Sequence, residues 1–291
     1  MRLKKMVKKA MPNFIMNQIH SYKRAAGLKK DAEEFSKLET VACDASNLRS
    51  AHGISLSSIL NSDTIEAQWA QSKKEIEQFT IPGNTGGVNY GDRRAIYYLI
   101  NYFKPQTILE IGTHIGASTL NIASALYHSQ VKQGNKVDFT TLDIRDVNCT
   151  KTKPWLDYGT KYSPLEMIEN FNYDSFVTFI SNTSLEFLSK NDKQYDFIFL
   201  DGDHSQATVY KEVPLALSRL KKNGVILLHD YFPNSKPLWS NGTVIYGPHV
   251  AVERLIKEGA DLVVLPLGEL PWPTKLDSNV TSLALLMRKS D

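Results

Sequence analysis

The chain has two cysteines in 291 residues, Cys43 and Cys149, far apart and without C-x-x-C spacing. That argues against a disulfide framework or a zinc knuckle and fits two reduced thiols in a cytosolic protein. No apolar run approaches the roughly 20 residues of a membrane span. A net charge of +3 is too small to imply nucleic acid as a partner. The main glycine turn, Gly112-x-x-x-Gly116, fits neither the G-x-G-x-x-G dinucleotide fingerprint nor a P-loop, which ends in Gly-Lys-Ser/Thr. A dehydrogenase is disfavoured on that ground.

Hydrophobic residues make up 42% and charged residues 22% of the chain, as in an ordinary globular protein. At about 150 residues per domain, the length allows one large domain, or one with an extension. The informative stretch is Thr107 to Thr119. After the breaker Pro105 comes an apolar, β-branched run, Thr107-Ile108-Leu109. Glycines follow at 112 and 116, then a helical pattern with Leu120, Ala123 and Tyr127 on one face. A strand, a glycine turn and a helix N-terminus let backbone approach a ligand closely. Glu110 at the strand's carboxyl end suits a cationic or polyhydroxyl ligand better than a phosphate.

Apolar runs at about 107–111, 137–143, 176–180, 195–200, 224–229, 261–265 and 281–287 alternate with helical patterns. They predict an α/β fold: a Rossmann-like, doubly wound, seven-stranded and mostly parallel sheet with an N-terminal helical extension. Ligands of such sheets sit outside the strands' carboxyl ends, where Asp143, Asn182, Asp201 and Asp230 all fall. Between two strands, Tyr210, Val213, Leu217 and Leu220 form a buried helix face, and Pro214 should bend or divide that helix.

Four motifs in order, Glu110-Ile-Gly112-x-x-x-Gly116, Thr140-Thr-Leu-Asp143, Tyr195 to His204 and Gly224 to Tyr231, make the chain resemble a class I S-adenosylmethionine-dependent methyltransferase. It is similar to small-molecule O-methyltransferases of the macrocin/sugar and catechol types and to the cephalosporin hydroxylase-like family. The likeness runs from about Gly86 to the C-terminus. It implies S-adenosylmethionine as cofactor, with Gly112 and Gly116 admitting it and Glu110 and Ser118 at its amino-acid end. Asp143 would hold the ribose hydroxyls and Asn182 and Thr183 would lie beside adenine, with Asp201 also at the cofactor. Asn182 and His114 depart from the family's usual residues.

Methyl transfer needs an aligned acceptor oxygen and a destination for its proton. Asp201 and Asp230 are hard-oxygen ligands suited to Mg2+. Where relatives supply a third ligand, the candidates are His229 or Tyr231, and a nitrogen ligand shifts selectivity toward Mn2+, iron or zinc. Asp203 and His204 are the two candidate bases; the alternative reading is that the same turn caps the helix that starts near Ser205. His128 and His249 read as surface or helix-end residues. The activity implied is methylation of a hydroxyl on a small molecule or glycan, assisted by a divalent cation. A metal-independent enzyme using His204 and an inactive cofactor-binding protein are the alternatives.

Residues 1–80 read as a basic, amphipathic helical extension and 81–291 as the methyltransferase domain. Nine Lys and Arg residues precede the first acid, Asp31, interleaved with apolar residues at helical spacing, and Pro12 interrupts the pattern. The extension suits packing on its own domain or on a second subunit; weak contact with an anionic membrane surface is the other reading. Asp31 and Ser62-Asp63 are expected helix caps, and Trp69, Ile76 and Phe79 would dock a helix on the domain. Gly86, Gly87 and Tyr90 would help close the cofactor site, and Asp92 would cap the next helix. The loops 145–163 (Trp155, Tyr158) and 232–248 (Trp239, Tyr246) are candidates to hold the acceptor or simply to anchor themselves.

Overall fold

The computed structural model describes residues 13–83 and 85–289, with side chains from Ala25 onward. Its centre is the predicted strand β1 (Thr107–Ile111). In parallel with it run β2 (Asp138–Asp143) and β3 (Val177–Ser181) on one side and β4 (Tyr195–Leu200) and β5 (Leu220–Leu228) on the other. β7 (Ala284–Arg288) lies antiparallel between β5 and β6 (Leu262–Pro266), so the order is β3-β2-β1-β4-β5-β7-β6. β5 begins earlier than the apolar run suggested, because Leu220 pairs with Tyr195 across a register shift. Asp196 pins the far end of the centre, accepting hydrogen bonds from Gln106 N–H, Thr107 N–H and Thr107 Oγ1.

Successive strand residues point to opposite faces, and both faces are covered. Ile108, Phe139, Phe197 and Phe199 join one core with α4 (Tyr90–Phe103), α5 (Ala117–Ser129) and α6 (Pro164–Asn170). Leu109, Leu142, Ile198 and Leu200 join the other with α7 (Ser184–Lys190), α8 (Gln206–Ser218) and α9 (Gly247–Lys257). α5 is buried almost all round, the pattern of a helix enclosed by other elements. α8 runs through Pro214 undivided. Buried Tyr210, Val213 and Leu217 hold it, and this packing outweighs the proline's preference for a break.

The N-terminal part packs on both faces. α2 (Leu56–Leu60) and α3 (Asp63–Ile76) add Ile59, Leu60 and Trp69 to the first core, together with Phe79. Ser62 caps α3 as expected. α1 (Asn13–Ser36) lies against α8, with the Phe35 ring edge-on to Tyr210 at 5.5 Å and the Arg254 guanidinium over both rings. Asp31 does not start a helix of its own. It sits within α1, and its carboxylate accepts the first N–H groups of α8, from Gln206 (2.8 Å) and Ala207 (3.1 Å). The basic stretch before Pro12, with its expected membrane or subunit contact, lies outside the described residues. Among the described residues, no helix is long and apolar enough to cross a membrane.

Candidate active site

Outside the carboxyl ends of β1, β2 and β4 lies a cavity of about 740 Å³, in the size range of small-molecule sites. Gly112, Ser118, Asp143, Asn182, Thr183, Asp201, Asp203 and His204 all line it, as do Gly86 and Gly87. Tyr90 does not; it faces a separate surface groove with Lys73 and Arg94.

The glycine turn is shaped largely by the chain's own packing. Gly112 has φ 106°, and a Cβ there would collide with the Asp201 carbonyl oxygen, so β1 and β4 close together only around glycine. Gly116 is not in the cavity wall; a Cβ there would come within 2.9 Å of Pro164. Asp143 is 7% exposed. Its Oδ2 accepts from His114 N–H (2.8 Å), and its Oδ1 from Arg145 N–H (2.9 Å) and Nε (3.4 Å).

The mouth of the cavity is tied across by His114. Arg145 Nη2 lies 3.2 Å from His114 Nδ1, and guanidinium has only donors, so the ring proton sits on Nε2 and is donated to Thr85 O at 2.9 Å. Tyr158 meets the same ring edge-on at 4.3 Å. Trp155 and Trp239 are each 5% exposed and serve as anchors of their loops.

Glu110 is fully buried and is absent from the cavity wall. Its Oε2 accepts from Thr119 (2.5 Å) and Thr141 (2.6 Å), and its Oε1 has no partner. Burial, opposed by the hydroxyls of Ser118, Thr119 and Thr141, pushes its pKa up to about 7. Ser118, which does line the cavity, therefore stands between Glu110 and the cavity.

At the other end the acids converge around two histidines. His204 Nε2 lies 3.4 Å from Asp230 Oδ2 and 3.8 Å from Asp201 Oδ1. His229 places Nδ1 2.7 Å from Asp201 Oδ1 and 3.8 Å from Asp230 Oδ1, and its Nε2 lies 3.2 Å from Asp92 Oδ2. Burial opposes protonation of the His229 ring, but the surrounding carboxylates overcome it and hold its pKa well above the ordinary value. Burial likewise opposes ionisation of Asp230, and the neighbouring His229, His204 and Lys275 hold its carboxyl below the usual range. Asp203 is engaged in the turn, accepting from Ser205 N–H and Thr208 Oγ1, both at 2.9 Å.

Ligand atoms of Asp201, His229 and Asp230 lie within 4.8 Å of one another. Two carboxylates and an imidazole at that spacing fit a divalent cation of the Mn2+, iron or zinc type. Tyr231 does not join them: its hydroxyl is 3.1 Å from His249 Nδ1. His128 ends α5 but is buried, 3.1 Å from Glu75. Asp92, like Asp31, is an expected cap that the structure places elsewhere. Asn89, not Asp92, caps α4, and the Asp92 side chain turns inward to His229 from 137 positions away. An acid in a first helical turn reads as a cap whichever way it faces.

A mostly parallel sheet with an inverted seventh strand, a cavity at its rim and acids converging beside it make a Rossmann-like α/β fold with a candidate small-molecule site. Residues 109–231 match a family model described as a methyltransferase domain. Among solved structures, the chain is similar to SAH-bound methyltransferase PaMTH1 from Podospora anserina, at 17% identity, covering 79% of this chain and 89% of that one, TM-score 0.49. It is also similar to the O-methyltransferase TomG from Streptomyces achromogenes in complex with SAM (14%, 80% and 93%, TM-score 0.49). A third is the O-methyltransferase from Bacillus cereus in complex with SAH (17%, 78% and 92%, TM-score 0.48). No curated protein matches the chain.

Proposed function

We propose that this protein is an S-adenosylmethionine-dependent methyltransferase acting on oxygen, methylating a hydroxyl of a small molecule or glycan. The observation that carries the reading is His204: it lines the cavity with Nε2 turned toward Asp230 and Asp201. S-adenosylmethionine supplies the electrophilic methyl group. Asp143, its oxygens oriented by His114 and Arg145, would accept the ribose hydroxyls; Asn182 and Thr183 would lie along adenine, and Ser118 would meet the amino-acid end. With S-adenosylmethionine bound, its sulfur–methyl bond would break as the acceptor oxygen bonds to the methyl carbon, S-adenosylhomocysteine would leave, and the acceptor's hydroxyl proton would pass to His204 Nε2. Asp230 and Asp201 stabilise the imidazolium that forms. Asp203 is committed to its turn, which leaves His204 as the base.

Asp201, Asp230 and Nδ1 of His229 would hold a divalent cation, which would supply Lewis-acid stabilisation of charge on the acceptor oxygen. A metal-free reading is favoured by one observation: protonated on both ring nitrogens, His229 satisfies Asp201 and Asp92 by itself. Transfer of a tritiated methyl group to a panel of hydroxylated acceptors, with and without chelator, separates the two. Loss of transfer with chelator supports the cation, and insensitivity supports the metal-free reading. Binding of S-adenosylmethionine with no transfer to any acceptor would leave an inactive binding protein. His204→Asn should lower turnover by about 10²–10⁴-fold, the usual weight of a general base, with S-adenosylhomocysteine affinity little changed. Wild-type turnover in that variant removes His204 from the chemistry.

A further inference from the structure

Asp92 has no solvent exposure and sits in the first turn of α4, far in sequence from every acid at the rim. In a capping box the acid at this position would reach back to the cap's backbone N–H. Asp92 does not. Asn89 caps the helix with its own Oδ1, which accepts Asp92 N–H at 3.1 Å, and donates Nδ2 to Asp92 Oδ2 at 2.5 Å. The same Oδ2 faces His229 Nε2 at 3.2 Å, while Oδ1 has no partner. The helix end itself is fixed, because Trp272 Nε1 donates to Gly91 O at 2.9 Å.

A buried carboxylate with an orphan oxygen is costly unless it is tied to charge. The helix N-terminus offsets part of that cost, and the ring of His229 supplies the rest. From this geometry we infer that Asp92 is a positioning residue: by accepting His229 Nε2–H it holds the ring so that Nδ1 faces Asp201 and Asp230. A histidine that ligates a metal usually gives its other ring N–H to a carboxylate, and losing that partner typically costs 10–100-fold in metal affinity. Asp92 stands where such a partner belongs. The inference rests on the site proposed above, but it concerns the ring's orientation whether or not an ion is bound.

The test uses the full chain saturated with S-adenosylhomocysteine. Mn2+ binding is followed by EPR, and the His229 Nε2–H proton by NMR, assigned through its loss in His229→Asn. In the wild type that proton should be protected and resonate far downfield. Asp92→Leu should abolish the protected signal and weaken Mn2+ binding by about 10–100-fold, with S-adenosylhomocysteine affinity within about twofold. A protected proton and unchanged Mn2+ affinity in Asp92→Leu would overturn the inference. If the wild type binds no Mn2+, the cation reading fails by itself, and the proton signal alone decides for or against Asp92. Should the leucine variant not fold, Asp92→Asn replaces it. Its neutral amide oxygen is a weaker acceptor, so the proton should move upfield and exchange faster; an unmoved proton overturns the inference.

Discussion

Among the described residues, the carboxyl groups of Glu110 and Glu212 are buried without a cation beside them, and each leaves one oxygen unpartnered. Burial pushes Glu212 up to about 7 from 4.5, reinforced by the Asp203 charge and opposed by Ser184. The folded protein therefore holds this proton more tightly than the unfolded chain does. Its contribution to stability is fully present below the ordinary carboxyl pKa and is lost as pH rises through about 7. At 1.36 kcal/mol per unit the effect is on the order of 3 kcal/mol. Glu212→Gln should melt higher than the wild type at pH 8 by roughly 2–4 °C per kcal/mol recovered, and the gain should vanish near pH 4.5. Thermal melts across that range check it; equal slopes for both proteins would contradict the buried proton. Sequence reading found neither this acid nor the role of Asp92. Asp143, Asp201 and Asp230 were legible because strand ends mark themselves by where an apolar run stops. Nothing local distinguishes an acid on a buried helix face from one in water.

Among the elements, α9 sets the place of the candidate base. Its first residue, Gly247, lies against the backbone of His204, and a Cβ there would collide with the His204 carbonyl oxygen. Gly247 has no positive φ, so alanine suits the helix start and acts only through the collision. Overpacking of this kind costs about 1–3 kcal/mol, and a displacement of about 1 Å at a reacting group can cost 10²-fold in rate. Gly247→Ala should therefore lose most methyl transfer while keeping S-adenosylhomocysteine binding within a few-fold, read by turnover and titration calorimetry. Full activity would show that the loop around His204 absorbs the methyl group. The elements themselves were mostly legible, with β1 and β4 at their expected limits. Pro214 does not divide α8, because a helix break is a local preference, whereas the packing that overrides it is not.

Across the whole molecule, the N-terminal helices are clamped onto the sheet's coverings rather than strung before them. Arg254 donates to Phe35 O and Leu38 O, both at 2.6 Å, and Asp31 closes the N-terminus of α8, the helix that leaves the base's turn. Removing a capping carboxylate costs about 0.5–2 kcal/mol. Asp31→Ala should lower the melting temperature by roughly 2–4 °C per kcal/mol lost and quicken proteolysis between residues 36 and 44. An unchanged melt would show that the aromatic and arginine contacts suffice to seat α1.

The sequence by itself determined the alternation of strands and helices, the parallel sheet and the acids at its rim. Each follows from periodicity and from where short apolar runs end, and both are written within a few residues of chain. Tertiary structure alone decided that Glu110 lies behind the wall, that Asp31 caps a distant helix and that Asp92 reaches His229. It also decided that the glycines of the turn make room for neighbouring protein. A side chain's partner is fixed by distance in space, and when that partner stands more than a hundred residues away, no local pattern can carry the information.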